Sequence, residues 1–252
     1  DGSLQTLLSA SAIDAQAHAA VAASLGETNG FNQGFWQSLA GLPGVGSAAA
    51  DDFRATADLG YMTSNFGSLL AFLKNRIGSG KSAAIKRAGD LARLSESEWV
   101  NLIDQNGGQV PSWVKGKNAS QKKRAYAASL KEKAEHLFPA VSLLAEVDRS
   151  KKHALGSVGN ILAAIEAKPN FDLRKDNIEK LFAAGDAALS SHEMAALKAL
   201  QRIHRIAPGA GTGVALLEAG YYSAAQICRE GRNVFTGAMG KMNISGKVAS
   251  AI

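Results

Sequence analysis

Leu197-Lys-Ala-Leu-Gln-Arg-Ile-His-Arg-Ile-Ala-Pro208, then Ala215-Leu-Leu-Glu-Ala-Gly-Tyr-Tyr-Ser-Ala-Ala-Gln-Ile227, then Gly231-Arg-Asn-Val-Phe235, is the stretch whose reading decides the fold. Leu197, Leu200, Ile203 and Ile206 recur every three residues, the spacing of a helix that buries one stripe, and Pro208 ends it. Gly220 sits where a helix closes through a left-handed residue, and Ser223 is placed to cap the next one. The result is a helix-turn-helix brick with no group suited to catalysis. Such bricks stack, because each pair leaves an apolar face open until a neighbour covers it. A scaffold is expected rather than an enzyme.

Composition points the same way. Of 252 residues 46% are hydrophobic, ample for a core, while only 6% are aromatic and 26 are glycine. Ala is abundant, and long alternations of β-branched and aromatic residues are missing, so sheets are disfavoured. The fold class expected is all-α, an irregular multi-helix bundle or array of helix-turn-helix units without significant sheet. No apolar run is long enough to span a bilayer, and no positive region followed by an apolar segment marks a secretion leader. The chain starts at Asp1 rather than Met, which suggests a processed product or an excised piece.

The helical pattern continues upstream. Leu4, Leu7 and Leu8 open a first helix, and Ser11 or Asp14 can cap a second that carries His18 and Val21. Phe31, Phe35, Trp36 and Leu39 form a short aromatic segment, and Ala48 to Gly60 and Leu69 to Ile77 follow as helices. Ser95 with Glu98 is a capping box ahead of Trp99, Leu102 and Ile103. A long helix is expected over Gln121 to about Phe138, and Pro139 redirects the chain into another through Leu143, Leu144 and Val147. Lys151 to Gly159, basic and poor in large apolar residues, is the linker candidate, giving helical parts 1–150 and 151–252. Beyond it, Ile161 to Ala167 is helical, Pro169 to Asp172 turns, and Asp176 begins the next helix. Leu181-Phe-Ala-Ala-Gly185 faintly echoes Leu216-Leu-Glu-Ala-Gly220. Met239, Met242, Ile244, Val248 and Ile252 read as an apolar face whose partner lies beyond the chain's end.

Charge is unevenly spread. Residues 1–80 hold three basic against six acidic side chains, 81–152 fourteen against eight, and the remainder eleven against eight, for a total of +6. Lys115, Lys117, Lys122, Lys123 and Arg124, continued by Lys131 and Lys133, form the densest part, with Trp113 and Tyr126 beside them. This patch is the candidate partner-contact surface, able to attract an acidic protein face or phosphate backbones. Glu132 and Glu135 interrupt its field, as on an ordinary solvated helix.

Motifs for chemistry are near misses. Gly78-Ser-Gly-Lys-Ser82 suggests a phosphate loop, but the position needing the first glycine is Asn75 and a helix precedes it. His192-Glu193 would open a zinc helix, yet Ala196 stands where the second histidine belongs. Asp51-Asp52 suits a helix N-terminus. His18 and His204 lie in apolar stripes as packing histidines, whereas His136 and His153 are expected at the surface. The lone Cys228 excludes an intrachain disulfide and is expected to be a small buried thiol. Asn-x-Ser sequons at Asn118 and Asn243 are too short a pattern to signal glycosylation. No catalytic, cofactor-binding or metal-ligating residue is assigned, and no cofactor is expected.

Several pieces in order resemble one family. They are Ser11-Ala-Ile-Asp14 with His18; Gly34-Phe-Trp36 with Leu39; Asp58-Leu-Gly60 with Thr63-Ser-Asn65; and Asp90-Leu-Ala-Arg-Leu94 with Trp99 and Val110-Pro111. There follow Tyr126-Ala with Leu130; Phe138-Pro139; Asn170-Phe-Asp-Leu173; Leu200-Gln-Arg-Ile203 with Pro208; and Leu216-Leu-Glu-Ala-Gly220 with Ser223-Ala224 and Ile227. Together they resemble the A component of the Tc insecticidal toxin complexes, in the region called the virulence plasmid A protein domain. The resemblance implies part of a helical shell around the channel of a bell-shaped, secreted homopentamer that binds host surfaces. Partners would then be other regions of the same A component, sister protomers and a host receptor. Two other readings remain: a helix-hairpin-helix nucleic-acid module, for which Gly220-Tyr-Tyr222 lacks the second glycine, and a stand-alone protein-interaction module using the 115–133 patch.

Overall fold

The computed structural model describes residues 2–78, 85–150, 152–168, 171–182 and 188–252. The chain is all-α, and no strand occurs among the described residues. It divides into two compact units, residues 1–133 and 134–252. Residues 79–82 of the glycine-lysine loop, Pro169-Asn170 of the expected turn and 183–185 of the Leu181 echo lie outside the described residues.

The first unit contains α1 (Gly2–Ala10), α2 (His18–Glu27), α3 (Gln33–Ser38), α4 (Ser47–Thr63), α5 (Gly67–Gly78), α6 (Glu96–Gln105) and most of α7 (Ala119–Leu137). Short 3-10 segments at Ala15–Ala17, Leu39–Gly41 and Ala88–Arg93 join them. Capping residues set the boundaries: the Asp14 carboxylate accepts from the Gln16 amide at 2.8 Å, and Asn32 from that of Phe35 at 3.0 Å. The Ser95 and Glu98 capping box forms in both directions, at 3.3 and 2.7 Å. Gly107 and Gly108, with φ of 79° and 70°, stop α6 as expected.

Helix α4 is the hub, packing on α1, α5 and the 3-10 segments at Leu39–Gly41 and Ala88–Arg93. Its Phe53, Leu59 and Met62 are buried with Leu7, Leu69, Leu73, Trp99 and Leu130. At Gly60 a methyl group would lie 2.3 Å from Leu7 Cδ2 and 2.6 Å from Asn65 Oδ1, so only glycine lets these groups come this close. Beside the core, Lys74 Nζ donates to Asp52 Oδ2 at 2.7 Å, to Thr56 Oγ1 at 2.8 Å and to the Ala10 carbonyl. Asp52 Oδ2 also accepts from the Ala12 amide at 2.6 Å. Asp52 thus ties three segments together; α4 starts at Ser47 and its first turn holds no acidic residue, so Asp51 and Asp52 do not stand at the helix N-terminus where the sequence suggested them. Asp90, 6% exposed, accepts from the amides of Lys86 and Arg87 at 2.8 and 3.2 Å, so its burial is compensated.

The second unit contains the end of α7 and α8 (Pro139–Ser150), α9 (Gly159–Glu166), α10 (Ile178–Phe182), α11 (Ser191–Ile206), α12 (Ala210–Glu218), α13 (Ala224–Glu230), α14 (Arg232–Lys241) and α15 (Gly246–Ala249). Helix α12 packs on α8 and α11, which bury Leu143, Leu144, Val147, Leu197, Leu200, Ile203, Leu216 and Leu217. The division falls at 133/134 rather than near 150 because α8 supplies three large side chains to this second core. The 151–159 stretch is no bare linker either: Leu155 and Val158 are 6% and 1% exposed within the same core.

Details of the second unit differ from the sequence reading in four places. Cys228 is exposed, because α13 buries none of its residues. His153 is half-buried, its Nε2 2.9 Å from the Val147 carbonyl and its Nδ1 accepting from the Leu155 amide at 3.2 Å. Helix α10 starts at Ile178 after Asn177, whose side chain accepts from the Lys180 amide at 3.0 Å, not at Asp176. Met239 is fully buried and Met242, Ile244 and Ile252 pack against the same core, so the C-terminal apolar face finds its partner within the chain; only Val248, 43% exposed, stays outside.

Candidate interaction surface

The basic patch is built on the connection from α6 to α7. Pro111 and Val114 are buried and anchor it, which leaves Trp113 between them 53% exposed. The indole rests edge-on against Tyr126, centroids 6.0 Å apart, and the Tyr126 hydroxyl donates to the Thr63 carbonyl at 2.9 Å. Burial pushes the Tyr126 phenol above its ordinary range, so it stays neutral and serves as a support. Trp113 is thereby held with one side in solvent.

Gly116 brings this connection onto the first turn of α7. A methyl group there would meet the Lys122 amide nitrogen at 2.7 Å. Asn118 caps the helix, its side chain accepting from the Gln121 amide at 2.9 Å, while the Gln121 side chain accepts from the Lys117 amide at 2.9 Å. The polar groups of the turn are therefore satisfied locally, and the charged ends are left for other work. The helix begins at Ala119 because of this cap, slightly earlier than the expected Gln121.

The cations separate into two groups. Lys123 is paired with Asp104 at 2.5 Å, Lys133 bonds Ser64 beneath the Tyr61 ring, and Lys131 is also engaged. Burial lowers the Lys133 ammonium pKa, with Glu132 opposing the shift. Lys115, Lys117, Lys122 and Arg124 carry charged ends that no hydrogen bond or ion pair engages among the described residues. Lys115, Lys117 and Arg124 are exposed and Lys122 is half-buried. Of the two carboxylates expected to interrupt the field, Glu135 does something else: its Oε1 accepts from the Ala210 amide and caps α12, whose N-cap position is the side-chain-free Gly209. An exposed indole among four unengaged cations can bury apolar area against a partner while its rim attracts negative charge.

The histidines, Glu193 and the hairpin amides have partners within the fold. His192 lies against Gly156, and Glu193 forms a second capping box with Ser190, at 2.9 and 3.3 Å, which the sequence reading passed over. Among the described residues no group of three potential metal ligands converges. His18 Nε2 lies 3.3 Å from the Ile13 carbonyl. His204 is 2% exposed, its Nε2 accepting from Arg174 Nε at 3.3 Å; burial, then Arg174, holds its pKa down, so the ring is neutral. At the hairpin, Gly220 does close α12 with φ of 85° and Ser223 caps α13. Yet the amides of Gly220, Tyr221 and Tyr222 donate to Leu217, Leu216 and the Gln226 side chain, at 3.1, 2.9 and 2.6 Å, so none is left to grip a phosphate. The Tyr221 hydroxyl bonds Glu230, which pushes its pKa up to about 12.

A second cationic feature escaped the sequence reading. Lys198, Arg202 and Arg205 stand at steps of four and three on α11 and line an open cleft of about 440 Å³ in the second unit. Three cations spread over 198–205 are sparser in the sequence than the five in 115–124, and only the fold sets them along one cleft. Compared with family models, curated proteins and solved structures, the chain matches none.

Proposed function

We propose that this chain is a non-catalytic helical structural module that works by assembly, with the Trp113 surface as its contact to an acidic face of a neighbouring protein. The resemblance to the shell region of Tc toxin A components supports this reading and supplies the context, a secreted pentamer in which sister protomers are the neighbours. The single observation that carries it is the exposed Trp113 indole on a connection whose four cations Lys115, Lys117, Lys122 and Arg124 no carboxylate engages among the described residues. An aromatic anchor inside a charged rim is the arrangement protein contacts favour.

The test uses the complete product of the gene, purified and examined by light scattering and negative-stain imaging. A bell-shaped pentamer is expected, and a monomeric or dimeric particle overturns the shell reading. Within that assembly, joint Trp113→Ala, Lys115→Glu and Arg124→Glu replacement is expected to weaken association, with the melting temperature little changed because these residues are exposed. Lys123 is excluded from the set because its replacement would break the pair with Asp104. Unaltered association in the variant removes the patch from the interface. The nucleic-acid alternative requires retention of DNA or RNA that falls steeply with salt.

A further inference from the structure

The α11 cleft is a built site that the assembly role does not use. Lys198, Arg202 and Arg205 follow one another along one helix face, where like charges a turn apart repel and weaken the helix. Lys175, on the segment that runs past this face, adds a fourth cation, itself paired with Asp172 at 3.3 Å. Among the described residues two carboxylates line the cleft, and each has a partner. Asp176 Oδ2 accepts from the Asp172 amide at 2.8 Å, and Glu179 pairs with Lys198.

The two guanidinium groups are aimed by backbone carbonyls. Arg205 donates through Nε and Nη2 to the Arg174 carbonyl, at 3.3 and 3.1 Å, and Arg202 through Nε to the Tyr222 carbonyl at 3.4 Å. Among the described residues this leaves Nη1 of Arg205 and both Nη groups of Arg202 with hydrogens to donate. Between them the Gln201 amide is fixed by the Leu173 and Asp176 carbonyls, at 2.9 and 3.0 Å. Positioned N–H donors and an excess of cations over carboxylates in the lining select an oxyanion. Two guanidinium donors about one helical turn apart suit the two ends of a short phosphate chain better than one isolated ion.

We propose that the cleft between α11 and the 175–179 segment binds a linear oligophosphate, free or as the phosphate tail of a nucleotide. This stands independently of the assembly role, since the cleft and the Trp113 surface share no residue.

Calorimetric titration of the whole chain with inorganic tripolyphosphate, with ATP and with adenosine, at constant ionic strength, tests it. Saturable binding of tripolyphosphate at one site per chain is expected. Equal affinity for ATP assigns the phosphate chain alone as the ligand, tighter ATP binding assigns the nucleotide, and both results uphold the site. Joint Arg202→Gln and Arg205→Gln replacement should weaken binding at least about tenfold, the scale of one lost charge-assisted hydrogen bond. Because Arg205 also holds the Arg174 carbonyl, Glu179→Gln is the second variant: it releases Lys198 and should tighten binding, which a folding defect cannot mimic. Joint Lys115→Gln and Lys117→Gln replacement should leave the affinity unchanged. The proposal is overturned by absence of saturation, by binding of adenosine equal to that of ATP, by weaker binding in Glu179→Gln, or by equal losses in the Lys115 and Lys117 variant.

Discussion

Asp58 offers the sharpest test of how burial acts in this molecule. It sits half-buried on α4, and no hydrogen bond or ion pair engages its carboxyl among the described residues. Burial raises its pKa from 3.8 to about 6, although Arg54 one turn earlier pulls it down. The unfolded chain therefore loses this proton near pH 4 and the folded chain near pH 6. Between those limits the folded state binds more protons, so the group's contribution to stability falls as pH rises and reaches its full cost above about pH 6. A shift of that size corresponds to about 3 kcal/mol, which partial exposure and screening reduce to about 1–2 kcal/mol. Asp58→Asn removes the ionisation while keeping the shape. The variant should be more stable than the parent by about 1–2 kcal/mol near neutral pH, with the difference shrinking toward zero below about pH 4. Urea unfolding followed by far-UV circular dichroism across this range measures the difference directly. A gap that does not change with pH, or an asparagine variant less stable at neutrality, refutes the argument.

Two further substitutions probe packing and capping. Gly60→Ala drives a methyl group into Leu7 and Asn65, and should cost about 1–3 kcal/mol in chemical unfolding; adding Leu7→Ala should make the pair less damaging than the sum of the single changes. Glu135→Ala removes the cap of α12 and should cost about 1–2 kcal/mol, whereas exposed Glu132→Ala should change stability by less than about 0.5 kcal/mol; equal effects in the same unfolding assay would remove the capping role.

Local rules made most of the helices legible. Periodicity and caps act over a few residues, which is why α6 with its Ser95 box and α12 with Gly220 lie where their sequences place them. Contacts distant in sequence were not legible. Nothing near Leu155 or Val158 announces that a glycine-containing basic stretch enters a core, and Glu135 reads as one more charge on a solvated helix until Ala210 is set beside it. The patch was legible as composition but not as pairing, since the engagement of Lys123 depends on Asp104 in another helix. The α11 cleft needed the 175–179 segment brought alongside before its spacing acquired meaning.

The capping of α12 by Glu135 bears on the order in which this chain folds. Gly209, Gly211 and Gly213 crowd the start of α12, so the segment has little tendency to coil by itself. Its first turn waits for a carboxylate 75 residues earlier in the chain, and its apolar side waits for α8. Helix α12 is therefore expected to form late, so that Glu135→Ala should speed unfolding far more than it slows refolding. Ribosomal synthesis from the N-terminus suits such a sequence of events, because the acceptor emerges well before the helix that needs it.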